Sequence, residues 1–259
     1  MQQDFKKFAN SQGIATTTLE DYQNSQNSQN SMTPYILEER AMRVTQMDIF
    51  SRLMRDRILW VSGVVNQQMS DVLQAQLLFL QDTDPEKDIL MYVNSPGGSV
   101  MCGLGIVDVM NYIQPDIQTV NLGMCASMGS VLLSSGTKGK RSSLIFSKVM
   151  THQVSHGTNG HIEDTRIGQI EAEKYNYLLF KELAKNCNRT FDEVLEASRR
   201  DRWWNSDEAL KFGLIDEIIG ISDENPTISD RLEGFDDYYK REILESVSKE
   251  VKPSKKNNK

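Results

Sequence analysis

Cysteine and histidine are both scarce in this chain, with three of each among 259 residues. Cys102, Cys125 and Cys187 are odd in number and lie far apart, so neither a disulfide framework nor a CxxC metal motif is present. A reducing compartment, most simply the cytoplasm, is the expected location. His152, His156 and His161 fall close together, but no cysteine joins them and no helical histidine pair brackets a glutamate, so no metal site is expected. An excess of basic side chains is missing too: 29 Lys and Arg stand against 36 Asp and Glu, a formal net charge of -7. Nucleic acid is therefore not an expected partner. The dense basic run Lys252, Lys255, Lys256 and Lys259 closes the chain and reads as a solvated tail. No stretch approaches the roughly 18 to 20 consecutive apolar residues that a membrane helix needs, and the N-terminus lacks the charged-then-apolar pattern of a signal peptide. The expectation is a soluble protein with no membrane partner.

What remains can still build a core, since 39% of the residues are hydrophobic. Residues 1–31 are rich in Gln, Asn, Ser and Thr, and the repeated Gln-Asn-Ser of 23–31 offers nothing to bury, so this segment is expected to be disordered. From about 221 the pattern changes again. Asp223-Glu224-Asn225-Pro226 reads as a linker, a short helix is expected within about 235–250, and the lysine tail follows. The central 32–220 has the length of one domain around one hydrophobic core.

Within it strand and helix patterns alternate. Ile58 to Val61 reads as a strand, and Met69, Val72, Leu73, Leu77 and Leu80 recur at helical spacing. Ile89 to Val93 is a short strand ended by Asn94-Ser95-Pro96-Gly97-Gly98, and a helix over about 99–113 stops before Pro115. Ile117 to Leu122 is the next strand, running into Gly123 and a short helix over about 127–135. The longest helix, about 162–186, would set Ile167, Ile170, Leu178, Leu179 and Leu183 near one face. Thr190 with Glu193, and Asn205 with Glu208, have the spacing of capping boxes. The alternation implies an α/β domain of repeated strand-helix units.

Four places could carry chemistry, and each has an ordinary alternative. Ser127 sits in Gly123-Met124-Cys125-Ala126-Ser127-Met128-Gly129, where a strand gives way to a helix. A serine there projects its hydroxyl outward, and the N–H of Met128 lies at a helix N-terminus that favours an anion; taken alone, a helix cap explains it as well. His152 follows an apolar strand and by itself reads as a polar residue satisfied by the backbone. Asp201, between Arg200 and Arg202, reads as a surface ion-pair cluster, or as the carboxylate that orients an imidazole. Gly97-Gly98 is either a plain turn or a place where a backbone N–H comes close to a substrate carbonyl.

Together these segments resemble the proteolytic subunits of the Clp protease family. The resemblance covers about 34–219. It rests on Asp48-Ile49-Phe50-Ser51-Arg52-Leu53, Pro85-Glu86-Lys87-Asp88, Asn94-Ser95-Pro96-Gly97-Gly98, and Gly123 with Ala126-Ser127-Met128-Gly129. It rests further on Lys138-Gly139-Lys140-Arg141, Met150-Thr151-His152-Gln153, Asp201-Arg202 and Gly213-Leu214-Ile215-Asp216. The separations of 25 residues from Ser127 to His152 and 49 from His152 to Asp201 also match the family's pattern.

The resemblance implies a ClpP/crotonase fold with a protruding helical head region, and a serine endopeptidase. Ser127 would be the nucleophile, His152 the general base and acid, and Asp201 its orienter, with oxyanion N–H groups from Gly98 and Met128. It implies two stacked seven-membered rings fed with unfolded polypeptide by an AAA+ unfoldase, so that ATP belongs to the partner and this chain binds no cofactor. Tyr92 and Tyr112 would lie near the pocket that receives the unfoldase's loops. The segment from Gln153 to Gly160 would border the substrate. Residues 1–31 would be a propeptide, with initiation at Met32 as the alternative. Two positions depart from the family: Val154 stands where proline is usual, and Arg199 where a carboxylate is common. The alternatives are a catalytically silent ring subunit, a crotonase-type acyl-CoA enzyme and a serine-lysine peptidase. The complete Ser, His and Asp set argues against all three.

Overall fold

The computed structural model describes residues 35–40, 43–157, 160–222 and 224–239, and the chain divides into two units after Asp56. In the first unit β1 (Tyr35–Arg40) and β2 (Arg43–Asp48) form an antiparallel hairpin, registered from Tyr35 opposite Asp48 to Arg40 opposite Arg43. Nothing in the sequence pattern announced this hairpin. α1 (Ile49–Arg55) follows because Asp48 caps it: one carboxylate oxygen accepts the N–H groups of Phe50 and Ser51, both at 3.0 Å. The Ser51 hydroxyl and these N–H groups hold the Asp48 carboxyl below its ordinary value. The Asp48-to-Leu53 motif is thus a helix start.

The second unit begins at Arg57 and alternates as expected. β3 (Ile58–Ser62), α2 (Gln67–Thr83), β4 (Ile89–Ser95), α3 (Val100–Tyr112), β5 (Ile117–Ala126) and α4 (Met128–Ser134) come first. β6 (Arg141–Leu144), β7 (Lys148–Thr151), α5 (Ile162–Cys187), α6 (Phe191–Ala197) and β8 (Arg202–Asn205) follow. α7 (Ser206–Phe212), β9 (Glu217–Ile219), α8 (Ile228–Arg231) and α9 (Phe235–Tyr238) complete the described chain. β3, β4, β5, β6 and β9 are neighbours in that order and parallel throughout. Such a sheet has to be covered on its faces, and the apolar sides of the helices supply the cover. Leu73, Leu77 and Leu80 of α2, Ile106 and Val107 of α3, and every residue of α4 are buried with Leu59, Val61, Ile89, Met91 and Val93 of the sheet.

β5 is longer than the pattern suggested. It runs through Gly123, at φ 139°, and changes partner on the way: residues 119–121 pair with β6, and 124–126 pair with β7. β7 in turn pairs antiparallel with β8, so a second small strand layer branches off where β5 ends. That branch point is where Ser127 lies.

α5 also departs from expectation. Leu179 and Leu183 are buried, with Phe180, Ala184 and Cys187, but Ile167, Ile170 and Leu178 are exposed. Among the described residues the buried positions of this helix all lie in its second half. Asn188, left-handed at φ 53°, ends it. After β9 the chain does not run free as a linker from 224 on. Asn225 pairs with Ser222, its amide donates to the Gly220 carbonyl at 2.8 Å, and Ile228 of α8 is buried. The expected helix of 235–250 is described only at Phe235–Tyr238. Residues 1–31 and the lysine tail lie outside the described residues.

Candidate active site

β5 delivers Ser127 in a conformation that side-chain-bearing residues rarely adopt, φ 54° and ψ -122°. Strain of this kind costs about 1–3 kcal/mol and persists only when the surroundings over-determine it. Here the Ser127 N–H donates to the Met150 carbonyl of β7 at 2.9 Å. Its own carbonyl accepts the Ser130 N–H at 3.0 Å and the Ser130 hydroxyl at 2.7 Å. The small neighbours are required by space. A Cβ on Gly129 would come 2.8 Å from the Ser95 carbonyl oxygen, and one on Gly97 would come 2.6 Å from the Ser127 Cβ. Helix capping is not the role of Ser127, because its side chain makes no cap hydrogen bond. Its hydroxyl donates instead to His152 Nε2 at 2.8 Å.

His152 is brought there by the branch strands. β7 ends at Thr151, opposite Arg202 in the β7–β8 register, so the next residue on one strand, His152, faces the preceding residue on the other, Asp201. His152 Nδ1 lies 3.3 Å from Asp201 Oδ1. With Nδ1 facing the carboxylate, the neutral imidazole carries its proton there and leaves Nε2 to accept from the serine. The three residues singled out in the sequence therefore lie in one line, Ser127 hydrogen-bonded to His152 and His152 in ion-pair contact with Asp201, although Asp201 is 67% exposed.

The turn after β4 approaches from the other side. Ser95 hydroxyl donates to the Gly63 carbonyl at 2.6 Å and accepts the Gly97 N–H at 3.1 Å, which fixes the chain just before Gly97 and Gly98, at φ 91° and 151°. Val65 bridges this segment by donating to the Gly97 carbonyl and accepting the Ser99 N–H. That pattern turns the Gly98 N–H the other way, and it has no acceptor among the described residues. The N–H of Met128, first residue of α4, is equally free, because the first turn of a helix has no internal acceptors. A Cβ on Gly97 would lie 2.9 Å from that Met128 nitrogen, so the two donors belong to one pocket wall.

A cavity of about 240 Å³ opens beside them, lined by Gly98, Ser127, Met128 and His152 and continued by Val131, Val154, Leu179 and Leu183. Its lining is mostly apolar. Val154, at the position where the Clp pattern usually has proline, uses the N–H that proline lacks: it donates to Asn176 Oδ1 of α5 at 2.9 Å. Arg199, at the other departure, pairs with Glu196 at 3.4 Å on the surface. Cys125, two residues from the serine, is no competing nucleophile, because burial pushes its thiol far up. Among the described residues no group of three or more His, Cys, Asp or Glu side chains is placed to hold a metal ion.

A family model described as Clp protease matches residues 39–222. The chain belongs to the Clp protease family. Its α/β architecture is accordingly the ClpP/crotonase fold expected from the motifs. Curated Clp relatives each named ATP-dependent Clp protease proteolytic subunit agree in extent. One from Bacteroides fragilis is 46% identical over 217 residues, 83% of this chain and 98% of its own length. Another, from Bacteroides thetaiotaomicron, is 45% identical over the same share of each chain. One from Porphyromonas gingivalis is 44% identical over 83% of this chain and 97% of its own. Sequence reasoning gave no role to Ser95 and Val65, which fix the glycine turn, and did not find the β7–β8 register that brings Asp201 to His152, because pairing between distant segments leaves no local signal.

Proposed function

We propose that the chain is the proteolytic subunit of an ATP-dependent Clp protease, a serine endopeptidase that cuts unfolded polypeptide. The observation that carries this reading is the 2.8 Å contact of Ser127 Oγ with His152 Nε2 beside two unpaired N–H groups. In this reading Ser127 Oγ attacks the peptide carbonyl carbon while its proton passes to His152 Nε2, and Asp201 stabilises the imidazolium. The carbonyl oxygen, now an anion, takes the N–H groups of Gly98 and Met128. Collapse breaks the C–N bond, and the imidazolium protonates the departing amine. Water then attacks the acyl-serine, gives its proton to Nε2 and releases the acid, and the serine recovers its proton. The mostly apolar lining of the cavity suits an apolar side chain next to the cut bond.

ATP is consumed by a partner Clp ATPase in this reading, and the chain itself binds no cofactor. Tyr112, 75% exposed, and Tyr92, packed on Trp60 with ring centroids 5.7 Å apart, offer aromatic surface for that partner's loops. The assembly is two stacked seven-membered rings, and the cytoplasm is its location. No described helix is long and apolar enough to cross a membrane.

Treatment of the purified assembly with a fluorophosphonate, followed by intact mass, tests the assignment. One adduct per chain, absent from Ser127→Ala, together with hydrolysis of a fluorogenic peptide lost in the same variant, is the expected result. Unchanged turnover in Ser127→Ala overturns it.

A further inference from the structure

Asp201 presents a mechanical question. Its carboxylate is 67% exposed in the single chain, and its contact with His152 is its only hydrogen bond or ion pair among the described residues. Nothing but the backbone of β8 therefore sets where it lies relative to the imidazole. That backbone is anchored by Trp204. The indole is 2% exposed, sits 4.5 Å from the Phe212 ring, centroid to centroid, and carries the Arg202 guanidinium 3.7 Å above it. Its Nε1–H donates to Thr151 Oγ1 at 3.0 Å, a buried bond between the two strands. Thr151 immediately precedes His152, and Arg202, stacked on the same indole, immediately follows Asp201.

We infer that the Thr151 hydroxyl and the Trp204 indole form a latch that positions His152 and Asp201 against each other, the two being positioning residues for the peptidase reaction. The inference rests on the triad reading above. An antiparallel pair as short as Lys148–Thr151 with Arg202–Asn205 has few ladder bonds to define its register. A specific side-chain bond at its catalytic end, donor and acceptor both buried, resists sliding and splaying there. At the far end Lys148 Nζ donates to Asn205 Oδ1, so the pair is tied at both ends. A buried indole N–H without an acceptor is costly, as is a buried hydroxyl without its donor, whereas removal of both is much less so. The latch thus makes a distinctive prediction about paired substitutions.

The test uses the full-length assembly and measures kcat per fluorophosphonate-labelled serine, KM for a fluorogenic peptide, and melting temperature. Thr151→Val and Trp204→Phe are each expected to lower kcat about tenfold with KM within about twofold, since a small misplacement of reacting groups acts on the chemical step. Thr151→Ser, which keeps the hydroxyl, recovers most of the loss. The double variant loses no more than the worse single one. A Trp204→Phe assembly with the parent kcat overturns the inference even where its melting temperature falls. So does a double variant whose loss is the product of the single losses. If Thr151→Val does not assemble, Trp204→Phe and Thr151→Ser decide. Absence of label from Ser127 in the parent chain would defeat the triad reading itself, whereas a labelled parent with unaffected variants defeats the latch alone.

Discussion

Arg141, only 1% exposed, is gripped at two points by Asp216: Nε donates to Oδ2 at 2.7 Å and Nη2 to Oδ1 at 2.6 Å. Its remaining nitrogen, Nη1, donates to the Ser134 carbonyl at 3.1 Å and the Asn186 carbonyl at 2.9 Å. Asp216 also accepts the N–H groups of Gly139 and Arg141. One ion pair thereby joins the start of β6, the ends of α4 and α5, and the approach to β9.

Breaking this pair on one side leaves an uncompensated buried charge, which costs about 3–5 kcal/mol. Asp216→Ala is expected to lose stability on that scale in urea unfolding. The pH dependence has a definite sign. Burial alone would raise the Asp216 carboxyl, but the hydrogen bonds and charge of Arg141 and the two N–H groups outweigh it and hold it below its ordinary value. A depressed carboxylate stabilises the fold above its unfolded pKa, about 3.9, and the contribution disappears as pH falls through the lower folded value. Asp216→Asn should flatten the acid limb of the stability curve in that window, and an unchanged limb would count against the pair.

Gly97→Ala is expected to silence the site without removing any catalytic group. The added Cβ would meet the Ser127 Cβ at 2.6 Å, the Ala126 carbonyl oxygen at 2.7 Å and the Met128 nitrogen at 2.9 Å, at a φ of 91° that alanine disfavours. Relief must move the serine or its neighbouring donor, and a shift near 1 Å costs about 10²-fold in rate. Peptide hydrolysis by the assembled variant checks this. Activity within a few-fold of the parent would mean that the turn and the serine are not rigidly coupled.

The strand-to-helix step at Ser127, the glycine turn after β4 and both capping boxes were legible because each is local: an apolar run, small residues at a crossing, a polar cap three residues from an acid. Thr190 and Glu193 satisfy each other as that spacing requires. What the pattern hid depends on distant partners. Gly123 read as a strand end, yet β5 continues through it because β7 replaces β6 as its neighbour. Ile167, Ile170 and Leu178 have helical spacing but remain exposed, since periodicity shows that a face exists and not that this chain covers it. Asp201 read alone as a surface charge, and it is one; only the pairing of Thr151 with Arg202 brings it to His152.

The bond from the Val154 N–H to Asn176 Oδ1 ties a cavity wall to α5. Asn176→Leu removes the acceptor at nearly constant size. The expected result is a KM raised several-fold, with kcat less affected, since one hydrogen bond is worth about 1 kcal/mol. Val154→Pro should resemble Asn176→Leu, because proline removes the same donor, and combining the two should add little. Additive losses would show that the bond does not join them. Steady-state kinetics on a peptide substrate with an apolar residue at the cut bond reads all three.

His152 and Asp201 should differ in their weight. Removing His152 deprives the serine of its proton acceptor, and His152→Ala is expected to lower kcat by about 10⁴-fold or more. Asp201 acts only through the imidazole, across 3.3 Å and from a side chain that is 67% exposed. Water screens such a carboxylate far more than a buried one. Asp201→Asn is therefore expected to cost about 10²-fold, well short of the roughly 10⁴-fold seen where the triad carboxylate is buried. Single-turnover acylation by a fluorogenic ester, measured on assembled variants, compares the two without interference from product release. Equal losses would mean that assembly withdraws Asp201 from water and gives it the full weight of a buried member, and the ordering argued from the single chain would then fail.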